Sequence, residues 1–481
     1  MNWWTPRVLA AILGLAAFSI PARAQNTVTP EGAWANKKPA WVLLSPAERD
    51  KAQSFAEDYK SYLNVARSSL GSTREVTRRA HAAGFTEFTK PEQVKPGARL
   101  IFPNRDRSLA LVVVGSEPIT EGSRVVGTHQ DSPHIELKGR PILPAGEFAL
   151  FKTIYYGGIK TYQWANRPLA LIGRIDTTDG RTIDVSIGLN PGDPVFVIPD
   201  NAPHSDSSLR DRKYTEVFHG EELEPILGSV AGENTTATTE VTKLLTERYK
   251  IKEEDLVSAE LSLVPNASPA DVGLDRGLVG SYGQDDRLSS FCAARAILDL
   301  QGTPRYTAIA WLSNFEEVGS VNNTGASSQF LNSTFAQLAG AQRGGAYNDL
   351  DLRRALHRSL VISADTNDSI NPIFPDTSEP TNAARVGYGV AIKLYSPGFN
   401  APSEYVAQIR GLLDRNNIPW QTHTYKVDGS GGGTIGLFMS MEDMQVIDLG
   451  VPLVSMHSPF EMSSKADLWD FYRTMSIFYA Q

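Results

Sequence analysis

Strand-like and helix-like segments alternate along most of this 481-residue chain, and this alternation restricts the folds open to it. The runs 109–115, 123–127 and 307–312 are short, apolar and rich in β-branched residues, as strands are. Segments 287–300 and 403–416 instead show helical spacing of apolar residues. Such alternation predicts an α/β fold with helices packed on a largely parallel sheet.

A β-rich block interrupts this alternation. Short strands are predicted at 170–175, 182–187 and 195–198, separated by Asp-Gly and Asn-Pro-Gly turns. We therefore expect a second, β-rich domain over 143–257, inserted into a catalytic domain formed by 25–142 and 258–481.

Composition excludes several classes of protein. Hydrophobic residues make up 41% of the chain and charged residues 21%, which is typical of a globular protein. The net charge of −8 argues against a nucleic-acid partner or an anionic membrane surface. Cys292 is the only cysteine, so an intrachain disulfide or a cysteine-rich zinc site is excluded. A metal site would have to use His, Asp and Glu.

Residues 1–24 resemble a secretory signal peptide. Arg7 precedes the apolar run 8–20, and Ala22-Arg23-Ala24 matches a cleavage site before Gln25. The run is shorter than the roughly 20 residues of a membrane span. The sequence predicts an exported protein, periplasmic or secreted, without a membrane anchor after cleavage. An uncleaved anchor is the alternative.

Five short motifs place possible metal ligands near predicted strand or helix ends. They are His129-Gln130-Asp131, Asp285-Asp286, Glu316-Glu317, Ser363-Ala364-Asp365 and Ser455-Met456-His457. Each has a structural alternative when taken alone; adjacent acids at a helix start, for example, also favour the helix dipole. Together they are harder to explain structurally, because ligands of open α/β sheets bind at the carboxyl ends of strands. Two histidines and three carboxylates suit two zinc ions with one bridging carboxylate.

The ordered motifs resemble those of the aspartyl aminopeptidase (aminopeptidase I) family of co-catalytic zinc exopeptidases, in its bacterial branch. The family order is H-x-D-S-P, D-N or D-D, E-E-[VI]-G-S, S-A-D and M-H-S. The resemblance runs from about residue 40 to the C-terminus. It includes Tyr156-Gly157-Gly158 and Gly432-Gly433-Thr434-Ile435-Gly436.

The resemblance implies a zinc-exopeptidase-like α/β/α catalytic domain with an inserted β-rich oligomerisation domain. It also implies two divalent metal ions, zinc or alternatively cobalt or manganese. The implied ligands are His129, Glu317, Asp365 and His457, with Asp285 bridging both ions. Glu316 is the implied general base, and Asp131 orients or polarises the His129 side of the site.

Four further residues are implied to bind substrate. His204 matches a histidine that reaches into a neighbouring subunit's active site, although it could be an ordinary loop histidine. Lys393 matches a lysine that meets an acidic substrate side chain, although it could lie along the rim with its ammonium in water. Gly433 and Thr434 lie in a glycine-rich loop at the substrate. The family forms dimers that build dodecamers, so we expect a homo-oligomer.

The expected function is removal of the N-terminal residue from peptide substrates by a metal-dependent aminopeptidase. Two alternatives remain open: a deacylase or carboxypeptidase with the same dinuclear site, and a catalytically silent exported binding protein. The chain has neither a G-x-S-x-G nor an H-E-x-x-H motif, which argues against a serine hydrolase and a thermolysin-like enzyme.

Overall fold

The computed structural model describes residues 37–395, 399–427 and 431–481, so the predicted signal peptide lies outside the described residues. Within these ranges, none of the helices has the length and apolar character needed to span a membrane. The α-helices of the described residues are Ala40–Leu43, Pro46–Val65, Ser69–Ala82, Ala237–Tyr249, Gln284–Leu298, Phe330–Arg343, Asp349–His357, Ser403–Arg415, Ile435–Met441 and Lys465–Tyr479.

A nine-stranded central sheet organises the α/β part of the chain. From one edge to the other its strands are Thr86–Glu87, Arg99–Asn104, Ser108–Val113, Thr307–Ser313, Ser123–His129, Leu360–Ala364, Gln445–Gly450, Val390–Lys393 and Trp420–His423. The four strands from Thr307–Ser313 to Gln445–Gly450 are parallel. Their carboxyl ends therefore meet at one edge of the sheet.

Helices cover both faces of the central sheet, which gives the expected α/β/α layering. Alternate side chains of one strand enter different cores: Leu109 and Leu111 enter one, and Ala110 and Val112 enter the other. The first core is covered by Pro46–Val65, Ser69–Ala82, Gln284–Leu298, Ser403–Arg415 and Lys465–Tyr479, and the second by Phe330–Arg343, Asp349–His357 and Ile435–Met441. Strands Ser108–Val113 and Thr307–Ser313 are buried along their whole length, and they are largely apolar because both of their faces are covered.

Helical spacing of apolar residues predicts a helix over 46–70. The structure divides this segment into the helix Pro46–Val65 and the start of a second helix, Ser69–Ala82. The first helix begins with a capping box formed by Ser45 and Glu48. The break follows from a second cap, since the Ser68 side chain accepts a hydrogen bond from the Gly71 N–H.

A six-stranded antiparallel sheet forms the β-rich part. Its strands, in spatial order, are Thr182–Ile187, Leu169–Asp176, Ala259–Pro265, His134–Ala145, Phe148–Tyr156 and Ile226–Gly228. The sheet thus takes residues from both sides of the 143–257 block, and the exact domain boundaries remain a prediction. Segment 195–198 makes only isolated bridges instead of the expected strand.

A third sheet lies next to the candidate site. It contains the strands Ala270–Val272, Leu278–Ser281, Glu461–Ser464, Pro452–Val454 and Asn367–Asp368. In it, strand Leu278–Ser281, just before helix Gln284–Leu298, pairs with strand Glu461–Ser464 near the C-terminus.

Candidate metal centre

Three parallel strands deliver side chains to one edge of the central sheet. His129 is the last residue of Ser123–His129, and Asp365 directly follows Leu360–Ala364. Glu316 comes shortly after the end of Thr307–Ser313. Because these strands are neighbours in the sheet, residues far apart in sequence come together.

Asp285 lies between the two histidines. Its Oδ1 is 3.6 Å from His129 Nε2, and its Oδ2 is 3.0 Å from His457 Nε2. On the His129 side, Asp365 Oδ1 is 3.6 Å from Nε2 of that histidine. On the His457 side, Glu317 Oε2 is 3.4 Å from Nε2. All five predicted ligands are therefore brought together, in two groups that share Asp285.

The donor set fits zinc. Imidazole nitrogens and carboxylate oxygens are ordinary zinc ligands. Asp285 Oδ1 and Glu317 Oε1 are buried and have no hydrogen-bond partner. Uncompensated buried carboxylate oxygens are costly, and a bound cation would compensate them.

The site has a strongly negative character. Burial raises the pKa of Glu317 well above its usual range, and the neighbouring Asp285 carboxylate adds to the effect. Burial alone would lower the pKa of His457, but Glu317 and Asp285 raise it to about 10. The carboxylates thus favour positive charge at this position, as a metal site requires.

Asp286 is a further acid within reach of the site. Its ligand oxygen, that of Asp365 and a ring nitrogen of His129 lie within 4.8 Å of one another. The Asp286 carboxylate accepts the backbone N–H groups of His129 and Thr366, each at 3.3 Å. The Asp285–Asp286 peptide bond is cis.

Glu316 is fixed by the loop that precedes helix Ile435–Met441. Its Oε1 accepts the Thr434 N–H at 2.6 Å and the Thr434 hydroxyl at 2.9 Å. Its Oε2 lies 3.9 Å from His129 Nε2, and burial raises its pKa. Gly433 packs against Asp365, where a Cβ would lie 2.6 Å from Asp365 Oδ2. Gly433 and Thr434 therefore hold site residues in place.

Asp131 contacts both ends of the site. Its Oδ1 is 3.3 Å from His129 Nδ1, and its backbone carbonyl accepts the Nδ1–H at 3.0 Å. Its carboxylate also accepts the backbone N–H groups of Glu316 and Glu317, at 3.2 and 3.1 Å. Asp131 thus positions the Glu-Glu pair as well as the histidine.

Comparisons with known proteins agree with this geometry. A model of the family described as aminopeptidase I zinc metalloprotease (M18) matches residues 62–479. The chain belongs to the M18 aminopeptidase family. It is a zinc metallo-aminopeptidase and hence a peptide hydrolase.

The relatives match this M18 aminopeptidase over nearly its whole length. One from Borrelia garinii subsp. bavariensis, named "Probable M18 family aminopeptidase 1", is 37% identical over 92% of this chain and 100% of its own length. A crystal structure of an M18 aminopeptidase from Thermotoga maritima has a TM-score of 0.86 and 36% identity, covering 92% of this chain and 99% of that one. The S. cerevisiae mApe1 dodecamer, with 18% identity and a TM-score of 0.72, covers 88% of this chain and 98% of that one and shares the fold.

Three residues of the M18 site carried no predicted role. The Tyr156 hydroxyl donates to Asp131 Oδ2 at 2.7 Å, and the His457 Nδ1–H donates to the Gly158 carbonyl at 3.0 Å. Glu461 accepts the N–H groups of Asp285, at 3.1 Å, and His457, at 2.7 Å. The Tyr156-Gly157-Gly158 motif was a usable signal, whereas no local pattern marks Glu461.

Of the residues predicted to bind substrate, Lys393 lies at the metal-site cavity and His204 lies outside it. Lys393 is buried in the wall of the cavity of about 980 Å³ that contains the metal centre. Its Nζ is 3.3 Å from Asp365 Oδ2 and 3.6 Å from Asp448 Oδ1. His204 is exposed and does not line this cavity among the described residues.

Proposed function

We propose that the protein removes N-terminal residues from peptides at a dinuclear zinc site, with Glu316 as general base. The observation that supports this most directly is the position of Asp285, whose two carboxylate oxygens face different histidines. A carboxylate whose two oxygens face two separate groups of ligands would be able to hold two ions close together, as a two-metal site does.

Two groups of residues would hold the ions. His129 and Asp365 would bind one, His457 and Glu317 the other, and Asp285 both. Bound zinc lowers the pKa of water and polarises a carbonyl.

The chain's own residues supply the proton transfer. Thr434 engages Glu316 Oε1, which leaves Oε2 on the His129 side to accept a proton from the attacking water. The same carboxyl then gives the proton to the leaving amine. The base is held in place from the other side by Asp131, through the Glu316 N–H.

Restriction to the N-terminal residue would come from the acidic cavity. A free α-ammonium group entering it meets several carboxylates, including that of Asp368 in the wall. An internal peptide bond offers no such charge. Lys393 lies in the same wall, and we propose that it receives an acidic side chain of the substrate.

We also propose that the protein is exported and forms a homo-oligomer. The sequence of residues 1–24 supports export, and N-terminal sequencing of the mature protein starting at Gln25 would test it. The fold shared with the mApe1 dodecamer supports assembly.

The decisive experiment uses the purified mature chain on a panel of aminoacyl-p-nitroanilides, N-acylated amino acids and peptides blocked at either end. We expect release from substrates with a free N-terminus only, loss of activity with a chelator, and recovery with zinc, cobalt or manganese. Metal analysis should give two ions per chain. Fewer than one ion after reconstitution would contradict the dinuclear site, and cleavage of acylated substrates alone would indicate a deacylase.

A further inference from the structure

A second cavity, of about 660 Å³, borders Asp131 and shares no wall residue with the metal-site cavity. Its wall joins the segment after helix Pro46–Val65 to the six-stranded sheet and to the loop after strand Thr307–Ser313. Arginines are prominent in this wall, and two of them are buried.

Arg287 is 1% exposed and has no acidic partner among the described residues. Its Nε donates to the Gln130 carbonyl at 3.1 Å, whereas its Nη1 has no hydrogen-bond partner. The guanidinium packs on Gly283, where a Cβ would lie 2.1 Å from Nη1. A permanent positive charge is thus buried at the cavity with part of its hydrogen-bonding capacity unused.

Arg67 is 5% exposed and also forms no ion pair within the described ranges. Its Nη1 donates to the backbone carbonyls of Pro265 and Ala267, at 2.7 and 3.1 Å. Its Nε and Nη2 donate to the Asn64 carbonyl and to Asn64 Oδ1, at 3.2 and 3.1 Å. Burial, together with the positive charge of Arg287, lowers the pKa of Arg67 to about 10. Arg67 thus has neutral hydrogen-bond partners but, like Arg287, no counter-ion among the described residues.

The acids of this wall are already engaged. Glu260 forms a bidentate pair with Arg107, with distances of 2.9 and 2.5 Å. Glu136 lies 3.1 Å from His134 Nε2. Asp131 accepts the Tyr156 hydroxyl in addition to two backbone N–H groups. None of these carboxylates pairs with Arg67 or Arg287.

We propose that this cavity binds a small oxyanion, a carboxylate or a phosphate, as the counter-ion of Arg67 and Arg287. A buried charge is stable when it is paired and hydrogen-bonded. The planar guanidinium fork matches the oxygen spacing of carboxylate and phosphate groups. The proposal does not depend on the metal ions or on the peptidase reaction.

Thermal unfolding of the full zinc-loaded protein tests the proposal. Sodium phosphate and sodium acetate are titrated separately at constant ionic strength, with chloride as the balancing anion. We expect a saturable rise in Tm with at least one of them, and the stronger of the two identifies the preferred oxyanion. Arg67→Lys and Arg287→Lys keep the charge but lose the fork, and should weaken the apparent affinity by about tenfold or more.

The double variant Arg107→Gln, Glu260→Gln is the matched control. It removes an ion pair from the same wall without changing the net charge of the wall. It should respond as the wild type does. Equal responses in the control and in both lysine variants would overturn the proposal, since the anion would then bind elsewhere, for example at zinc.

A direct measurement on the wild-type protein does not depend on whether the variants fold. Crystals of the wild-type protein soaked separately in selenate and in 3-bromopropionate should show an anomalous peak against Arg67 or Arg287 with at least one of them. A cavity that stays empty with both anions, while selenate binds only at the metal centre, would overturn the proposal.

Discussion

At the scale of single residues, the two adjacent glutamates are expected to act differently. Glu316→Gln keeps a carbonyl oxygen for the Thr434 N–H but cannot accept a proton. We expect kcat to fall by about 10²–10⁴-fold, the usual contribution of a general base, with zinc content unchanged. Glu317→Gln is the matched comparison and should lower zinc per chain, measured by elemental analysis. The opposite pattern would reverse the two assignments.

Lys393 allows a second test at this scale. A buried ammonium that meets a substrate carboxylate contributes about 1.5–3 kcal/mol, so Lys393→Met should lower the ratio of kcat/KM for Asp- over Leu-nitroanilide by about tenfold to hundredfold. Lys160→Met is the control, because Lys160 lines the same cavity. An unchanged ratio would mean that Lys393 only balances Asp365 and Asp448.

At the scale of secondary-structure elements, helix Lys465–Tyr479 is hydrogen-bonded to the segment just before strand Val390–Lys393 of the central sheet. Asp467 in its first turn accepts the N–H groups of Gly387 and Gly389, at 2.6 and 2.7 Å, just before strand Val390–Lys393. Burial raises the pKa of Asp467 to about 8, although these two hydrogen bonds lower it. The connection should therefore be sensitive to pH.

The direction follows from proton linkage. An unfolded Asp titrates near pH 3.9, so between about pH 4 and 8 the folded state holds a proton that the unfolded chain releases. This group therefore makes stability fall as pH rises through that window. We expect Tm to drop less between pH 5 and 8 in Asp467→Asn than in the wild type. The exposed variant Asp50→Asn should follow the wild type, and identical slopes for all three proteins would contradict the assignment.

At the scale of the whole molecule, the position of His204 makes assembly testable. His204 is exposed and lies away from its own metal-site cavity, so any catalytic role requires a neighbouring subunit. We expect light scattering to give a multiple of the mature chain's mass, which is below the 52.5 kDa of all 481 residues. His204→Ala should lower kcat without changing that mass, whereas His219→Ala, in the same exposed segment, should be neutral.

Mixed oligomers test whether His204 acts between subunits. Co-expressed Glu316→Gln and His204→Ala chains should recover activity that neither variant has alone, because some sites would then combine an intact Glu316 with a neighbour's His204. A fully active single-chain species, or no recovery on mixing, would contradict the prediction.

The amino-acid sequence by itself determined the α/β fold class and the types of residue at the site. Buried strands such as Thr307–Ser313 appear as continuous apolar runs, and ligands such as Asp365 follow directly at their carboxyl ends. These signals are local, so periodicity and residue type are sufficient to identify them.

Only the tertiary structure decided how these residues are grouped. The division of the ligands on either side of Asp285, the hydrogen bonds of Glu461 and the pairing of Lys393 with Asp365 all join distant parts of the chain. Tertiary structure likewise brings Arg67 and Arg287, which have no ion pair among the described residues, into the wall of the second cavity. Such contacts depend on which strands are neighbours in a sheet, and no local pattern along the chain encodes that choice.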